Sequence, residues 1–181
     1  MEIIKLNSVA VLIDCWDMKD FVADDHVPAF DDVYTNIIEF LDQTPQIKIV
    51  VLASYDTEDF SGTNDNAWYN STGKLHKTAD KILNYINKEK KQISLTLFED
   101  FANLLEQNPD IENIYFMGTS WDDCIQHRNI GIHRCSNIGK NILVNTKCVF
   151  HNIDSTLNLK YNKRFEHRTG DIYQLKNEEN T

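Results

Sequence analysis

Two residues with reactive side chains stand where apolar runs of the chain end. Asp14 closes the run 8–13, and Cys124 follows Gly118, which closes a second run. A carboxylate can act as a base and a thiolate as a nucleophile, so the pair could hydrolyse a carbonyl compound through a covalent intermediate. A carboxylate ending an apolar run is also costly to bury unless it serves as a cap, a ligand or a base.

The residues around Cys124 predict a turn from a strand into a helix. Ser120 is followed three residues later by Asp123, which is the spacing of a capping box. Cys124 then falls in the first helical turn, where backbone N–H groups favour the thiolate. Asp122 and Asp123 oppose this effect by their negative charge. The sequence leaves the net effect open, and also leaves open that Cys124 simply packs as a small apolar residue.

The elements that must position these residues alternate along the chain. The pattern predicts strands at 8–13, 47–53, 93–98, 111–117 and 141–144, a weaker strand at 171–175, and helices at 32–43, 78–90, 99–107 and from about 121. This order is typical of a three-layer α/β/α sandwich with a mostly parallel, Rossmann-like sheet, here of five or six strands. Ligands of such sheets bind outside the carboxyl ends of the strands, where Asp14, Ser54–Asp56 and Gly118–Cys124 are expected.

Composition describes one domain of ordinary globular character. The 181 residues carry 28 acidic and 18 basic side chains, a net charge of −10, which disfavours nucleic acid as a partner. No apolar run approaches the roughly 20 residues of a membrane helix, and no secretory signal is visible, so a cytoplasmic location without membrane attachment is expected. The regular pattern covers about 8–150, and 151–181 forms a less certain appendage.

At both strand ends the sequence resembles the isochorismatase-like cysteine hydrolases, a family that includes nicotinamidases. The stretch 9–17, VAVLIDCWD, resembles the first strand and acid of the family. The stretch 118–125, GTSWDDCI, resembles its glycine-to-cysteine turn. The stretches 128–132 and 138–144 continue in register, so that the resemblance covers about residues 8–150.

The resemblance implies a mechanism. Cys124 would attack an amide or related acyl carbonyl and form a thioester, while Asp14 would take the thiol proton and later activate water. A cis peptide bond would fall at Thr119–Ser120, with the N–H groups of Ser120 and Cys124 as the oxyanion hole. The first and fourth strands would be neighbours. The resemblance also implies a small-molecule substrate and a homo-oligomer.

The third member of the family's triad is a lysine after the third strand, and none occurs at 93–101. Lys90 and Lys91, just before that strand, are the first candidates for this role, and Lys74, Lys77 and Lys81 lie farther back. If none of these lysines reaches Cys124, the alternative is a catalytically impaired homologue that serves as a binding or oligomerisation module.

Three aromatic residues near the strand ends, Trp16, Tyr55 and Trp121, could wall a pocket for a planar substrate. Core packing explains the two tryptophans equally well.

We expect no metal or other cofactor. The family's nicotinamidases hold a metal through histidines after the second strand, and none occurs between Ser54 and Gly73. The spacing of Cys124, His127, His133 and Cys135 is unlike that of common zinc modules. A further alternative is a Mg²⁺-dependent nuclease using Asp14, Asp17, Asp122 and Asp123, although the net charge argues against it.

Overall fold

The computed structural model describes residues 7–20, 27–53, 78–95, 97–121, 124–150 and 162–176. The predictions for the loop 54–76 with Tyr55, and for Lys74, Lys77, Asp122 and Asp123, lie outside these ranges.

A seven-stranded sheet forms the centre of the described part of the chain. Its order is β3-β2-β1-β4-β5-β7-β6, and the first five strands in that order are parallel. The last two are antiparallel additions at one edge. The strands are β1 (Ser8–Ile13), β2 (Ile49–Ala53), β3 (Gln92–Leu95), β4 (Asn113–Gly118), β5 (Asn141–Val149), β6 (Phe165–Thr169) and β7 (Ile172–Leu175).

Helices cover both faces of the sheet, which confirms the predicted three-layer α/β/α sandwich. They are α1 (Val27–Asp42), α2 (Asp80–Glu89), α3 (Phe98–Gln107), α4 (Cys124–His127) and α5 (Ile132–Cys135), with a 3-10 turn at Met18–Asp20. Alternate residues of β1 point to opposite faces: Val11 joins the core shared with α3, α4 and α5, and Leu12 joins the core shared with α1 and α2. Because β1 is buried on both faces, its sequence reads as a continuous apolar run.

The sheet has more strands than the five or six predicted, because β6 and β7 form a hairpin beside β5. Strand β6 lies at the edge and buries only Phe165, so its sequence lacks the apolar alternation that reveals a strand. Strand β5 is also longer than predicted and extends to Val149.

Several other element boundaries differ from the prediction, among them those of α1 and β3. Helix α1 begins at Val27 rather than at 32, with Pro28 in its first turn, where a proline's missing N–H costs nothing. Strand β3 ends at Leu95, and Phe98 begins α3 instead of closing the strand. None of the helices in the described ranges combines the length and the apolar character of a bilayer span.

Candidate active site

The candidate site lies where the chain changes direction across the sheet. From β1 the chain proceeds outward to β2 and β3, then returns to β4 on the other side of β1. Strands β1 and β4 are parallel neighbours and end together, with Ile13 opposite Gly118. The predicted adjacency of the first and fourth strands is thus confirmed. Such a switch point opens a crevice at the carboxyl ends of the strands.

Gly118 allows the two strand ends to approach closely. Its φ is +117°, and a Cβ at this position would lie 1.9 Å from the Ile13 carbonyl oxygen. The next residue, Thr119, donates its backbone N–H to the same oxygen at 2.9 Å and its hydroxyl to the Asp14 carbonyl. Only glycine fits here, so its presence fixes the turn directly against Asp14.

The turn after β4 leads into a helix that begins at the cysteine. The peptide bond Thr119–Ser120 is cis, at the position that the resemblance implies. The Ser120 carbonyl accepts the N–H of Ile125 at 3.1 Å, which joins the turn to α4. Cys124 is the first residue of α4 and is partly buried. Because α4 has only four residues, its dipole contributes little positive potential at the sulfur.

Asp14 sits directly after β1 in a left-handed conformation, with φ +48°. Aspartate tolerates this conformation better than most residues. Its carbonyl accepts the N–H of Trp16 at 2.8 Å, so the chain turns away from the strand at once. The residue as a whole is 2% exposed. A carboxylate buried to this degree needs a compensating charge.

Arg128 supplies that charge and also contacts the cysteine. Its Nε and Nη2 donate to Asp14 Oδ2 at 2.9 and 2.7 Å. The same Nη2 lies 3.4 Å from Cys124 Sγ. Since one nitrogen touches both groups, the Asp14 oxygen and the Cys124 sulfur are at most about 6 Å apart. Acid, thiol and guanidinium therefore form one cluster.

The guanidinium of Arg128 stays charged at neutral pH. Burial lowers the pKa of Arg128 to about 10, while the charge and hydrogen bonds of Asp14 act in the opposite direction. A positive charge in contact with sulfur favours the thiolate over the thiol. Arg128 thus provides the electrostatic setting that a nucleophilic cysteine needs.

The other three thiols lie in different surroundings. Cys15, Cys135 and Cys148 are buried. Desolvation raises the pKa of Cys15 far above the ordinary value, with a smaller contribution from Asp14. Burial raises the pKa of Cys135 and Cys148 to about 12. These thiols are protonated packing residues at neutral pH, so Cys124 is chemically distinct among the four.

Lys90 and Lys91 lie at the amino-terminal end of β3, whereas this cluster lies at the carboxyl ends of β1 and β4. Lys90 ends α2 in a left-handed conformation, and the Lys91 carbonyl accepts the N–H of Val50 before β3 begins. Both lysines therefore precede a parallel strand, whereas Asp14 and Cys124 follow β1 and β4.

The two tryptophans have different surroundings. The Arg128 Cζ lies 5.8 Å from the centroid of the partly buried Trp16 ring, so this ring flanks the cluster. Trp121 is buried in the core, where its ring meets Phe165 edge-on at 5.5 Å. Of these two aromatic residues, only Trp16 is placed to contact a ligand at the cluster.

A cavity of about 80 Å³ lies beside the 3-10 turn, between α1 and α2, and is lined by residues that include Asp17, Phe30 and Tyr34. Asp14, Cys124 and Arg128 do not line it, so it does not mark the position of a substrate at the thiol. Within the described ranges, no three His, Cys, Asp or Glu side chains are grouped as metal ligands.

Arg128 is the site residue that the sequence analysis missed. It lies four residues after Cys124, a spacing that puts two side chains on the same side of a helix. That spacing is the signal that could have found it.

Comparisons with known proteins identify the fold. No protein-family model matches the sequence, and no curated protein matches it. Among solved structures, the nicotinamidase SaPncA from Staphylococcus aureus aligns with a TM-score of 0.52. The alignment covers 82% of this chain and 85% of that one, at 14% identity. The chain thus shares an isochorismatase-like α/β fold with a nicotinamidase, and this level of identity concerns the fold alone.

Proposed function

We propose that this protein is a cysteine hydrolase that cleaves a small amide or a related acyl compound through a thioester. One observation carries the proposal: a single guanidinium nitrogen touches both the Asp14 carboxylate and the Cys124 sulfur at the switch point of the sheet. A base and a nucleophile so close together are the minimum that covalent hydrolysis requires.

The chemistry follows from one proton shared by these two groups. Asp14 takes the proton of the Cys124 thiol, and the thiolate attacks the substrate's carbonyl carbon. The tetrahedral intermediate collapses to a thioester as the amine leaves with the proton from Asp14. Asp14 then removes a proton from water, whose oxygen attacks the thioester. The acid product leaves, and the proton returns to Cys124.

The negative oxygen of the tetrahedral intermediate needs hydrogen-bond donors. We assign this role to the backbone N–H groups of Ser120 and Cys124, which flank the turn between β4 and α4. Trp16 beside the cluster would contact the substrate.

The cellular setting belongs to the same proposal. All four cysteines are free thiols, which is typical of proteins in reducing compartments and supports a cytoplasmic location. We propose a homo-oligomer that acts on a small molecule.

The test is ammonia release from a panel of small primary amides that includes nicotinamide. The expected result is turnover of at least one amide, with losses of about 100-fold or more in Cys124→Ala and Asp14→Asn. Cys148→Ala is the control, because it removes a buried thiol that donates to the Asn36 carbonyl and is not part of the cluster, and it should keep full turnover. Undiminished turnover in Cys124→Ala would refute the proposal.

The rival function, a binding or oligomerisation module, gives a different result in the same panel. The folded protein would then bind a small amide without releasing ammonia, and Cys124→Ala would bind it equally well.

A further inference from the structure

We infer that Arg128 is a catalytic residue of this site: a permanent cation that stabilises the Cys124 thiolate and takes no part in proton transfer. This inference rests on the proposed function, since it assigns a further residue to the same reaction. It also explains how the site can have a cation although Lys90 and Lys91 lie at the amino-terminal end of β3.

The placement of Arg128 is a consequence of the helix that carries the nucleophile. The Arg128 N–H donates to the Cys124 carbonyl at 3.1 Å, so the two residues are one helical turn apart. Arg128 directly follows the last residue of α4, and the i, i+4 spacing puts its side chain on the same side as that of Cys124. The long arginine side chain reaches past the sulfur to the end of β1, where it meets Asp14.

The guanidinium is held on several sides. Two of its nitrogens bind one oxygen of Asp14, whose side chain is completely buried. The Trp16 ring faces it at a cation–π distance, and the Trp16 carbonyl is itself fixed by the Tyr34 hydroxyl at 2.7 Å. Since the Arg128 side chain is only 10% exposed, little solvent screens these charges from one another.

The chemistry of guanidinium sets the division of roles. Arginine keeps its proton near neutral pH, so Arg128 takes no part in the proton transfers among Cys124, Asp14, the leaving amine and water. The cation contacts both acceptors, and it therefore stabilises whichever of the two bears the added negative charge. The cluster keeps the same net charge while the proton moves, which avoids the cost of creating a new charge in a buried site.

Other ionisable side chains close to Cys124 in sequence are the same in all the proteins compared. His127 of α4 is exposed and stacks on the exposed His133 of α5 at 4.6 Å. Asp122 and Asp123 precede Cys124 in the sequence and lie outside the described ranges. All four residues are unchanged in every variant, so their effects are common to the whole series.

The experiment measures the rate of Cys124 alkylation by iodoacetamide as a function of pH, followed by peptide mass spectrometry. The variants are Asp14→Asn, Arg128→Lys, Arg128→Gln and the double variant Asp14→Asn with Arg128→Gln, each checked for folding by circular dichroism. The midpoint of each pH profile reports the ease of forming the thiolate.

The inference predicts an order of midpoints. Asp14→Asn should have the lowest, because the cation remains and the carboxylate is gone. The wild type should follow, then the double variant near the free-thiol value of about 8.5. Arg128→Gln should be highest, because it removes the positive charge of Arg128 and keeps the negative charge of Asp14. Arg128→Lys should lie between the wild type and the double variant, since it keeps a positive charge but loses the guanidinium's fixed set of donors.

Two results would overturn the inference: equal midpoints in the wild type and the double variant, or a midpoint in Arg128→Lys as high as that of the double variant. The double variant removes both buried charges, so the test stands even if Arg128→Gln alone does not fold. The probe does not depend on turnover. If the protein hydrolyses no amide but the alkylation midpoints follow the predicted order, only the proposed substrate class is rejected. If it hydrolyses an amide but the wild type and the double variant have equal midpoints, only the role of Arg128 is rejected.

Discussion

The buried ion pair between Arg128 and Asp14 should show strong thermodynamic coupling. Arg128→Gln removes the guanidinium charge that binds Asp14, a carboxylate whose side chain is 0% exposed. Breaking such a pair from one side costs about 3–5 kcal/mol of unfolding free energy. The double variant with Asp14→Asn buries no charge at this point and loses mainly hydrogen bonds, about 1–2 kcal/mol in all. The coupling free energy between the two positions should then be at least about 2 kcal/mol.

Urea unfolding of the wild type, both single variants and the double variant at neutral pH measures this coupling. The loss in Arg128→Gln should shrink in acid, because protonation of Asp14 removes the uncompensated charge. An exposed pair provides the control: Lys147 and Asp171 lie 2.9 Å apart with side chains 64% and 45% exposed. Breaking it with Lys147→Gln should lower the unfolding free energy far less than Arg128→Gln does, because solvent screens an exposed pair. A similar small cost for Arg128→Gln, or strictly additive single effects, would refute the reasoning.

Two further predictions concern stability. Gly118→Ala should lower the unfolding free energy by more than about 3 kcal/mol or prevent folding, because its Cβ would meet a backbone oxygen of β1 at 1.9 Å. Gly139→Ala, also at positive φ but with open space around it, should cost only about 1–2 kcal/mol in the same urea titration. In alkali, the unfolding free energy should fall between about pH 9 and pH 12. The folded state keeps the protons of Cys135 and Cys148, because their pKa is raised to about 12, whereas the unfolded state releases these protons near pH 9.0. Each thiol contributes up to about 1.4 kcal/mol per pH unit to this loss, and Cys148→Ala should make the decline in pH-dependent urea unfolding measurably shallower.

The parts of the site that could be predicted from sequence are those with a local signal. A strand buried on both faces reads as an unbroken apolar run, so the ends of β1 and β4 were visible in the sequence. A parallel sheet then places Asp14 and the turn before Cys124 at the carboxyl ends of the strands. Gly118 was visible in the sequence as the end of an apolar run, and the structure adds that the two strand ends approach closely there.

The parts that could not be predicted depend on contacts between distant segments. Arg128 belongs to a polar stretch that resembles any solvated helix face. Its role becomes visible only in the folded chain, where its guanidinium binds Asp14. Strand β6 likewise buries a single residue and is recognisable only by its pairing with β7. Lys90 and Lys91 illustrate the reverse case: they are close in sequence to the expected position but precede β3 instead of following it.

The most direct test of the account is acyl transfer from 4-nitrophenyl acetate to the protein at neutral pH. We predict a burst of nitrophenol equal to about one equivalent of protein, with the acetyl group on the peptide that contains Cys124 and removable by hydroxylamine. In Asp14→Asn the acetyl group should persist longer, because no base activates the water that releases it. Acetylation confined to other residues, or a burst that survives in Cys124→Ala, would contradict the account.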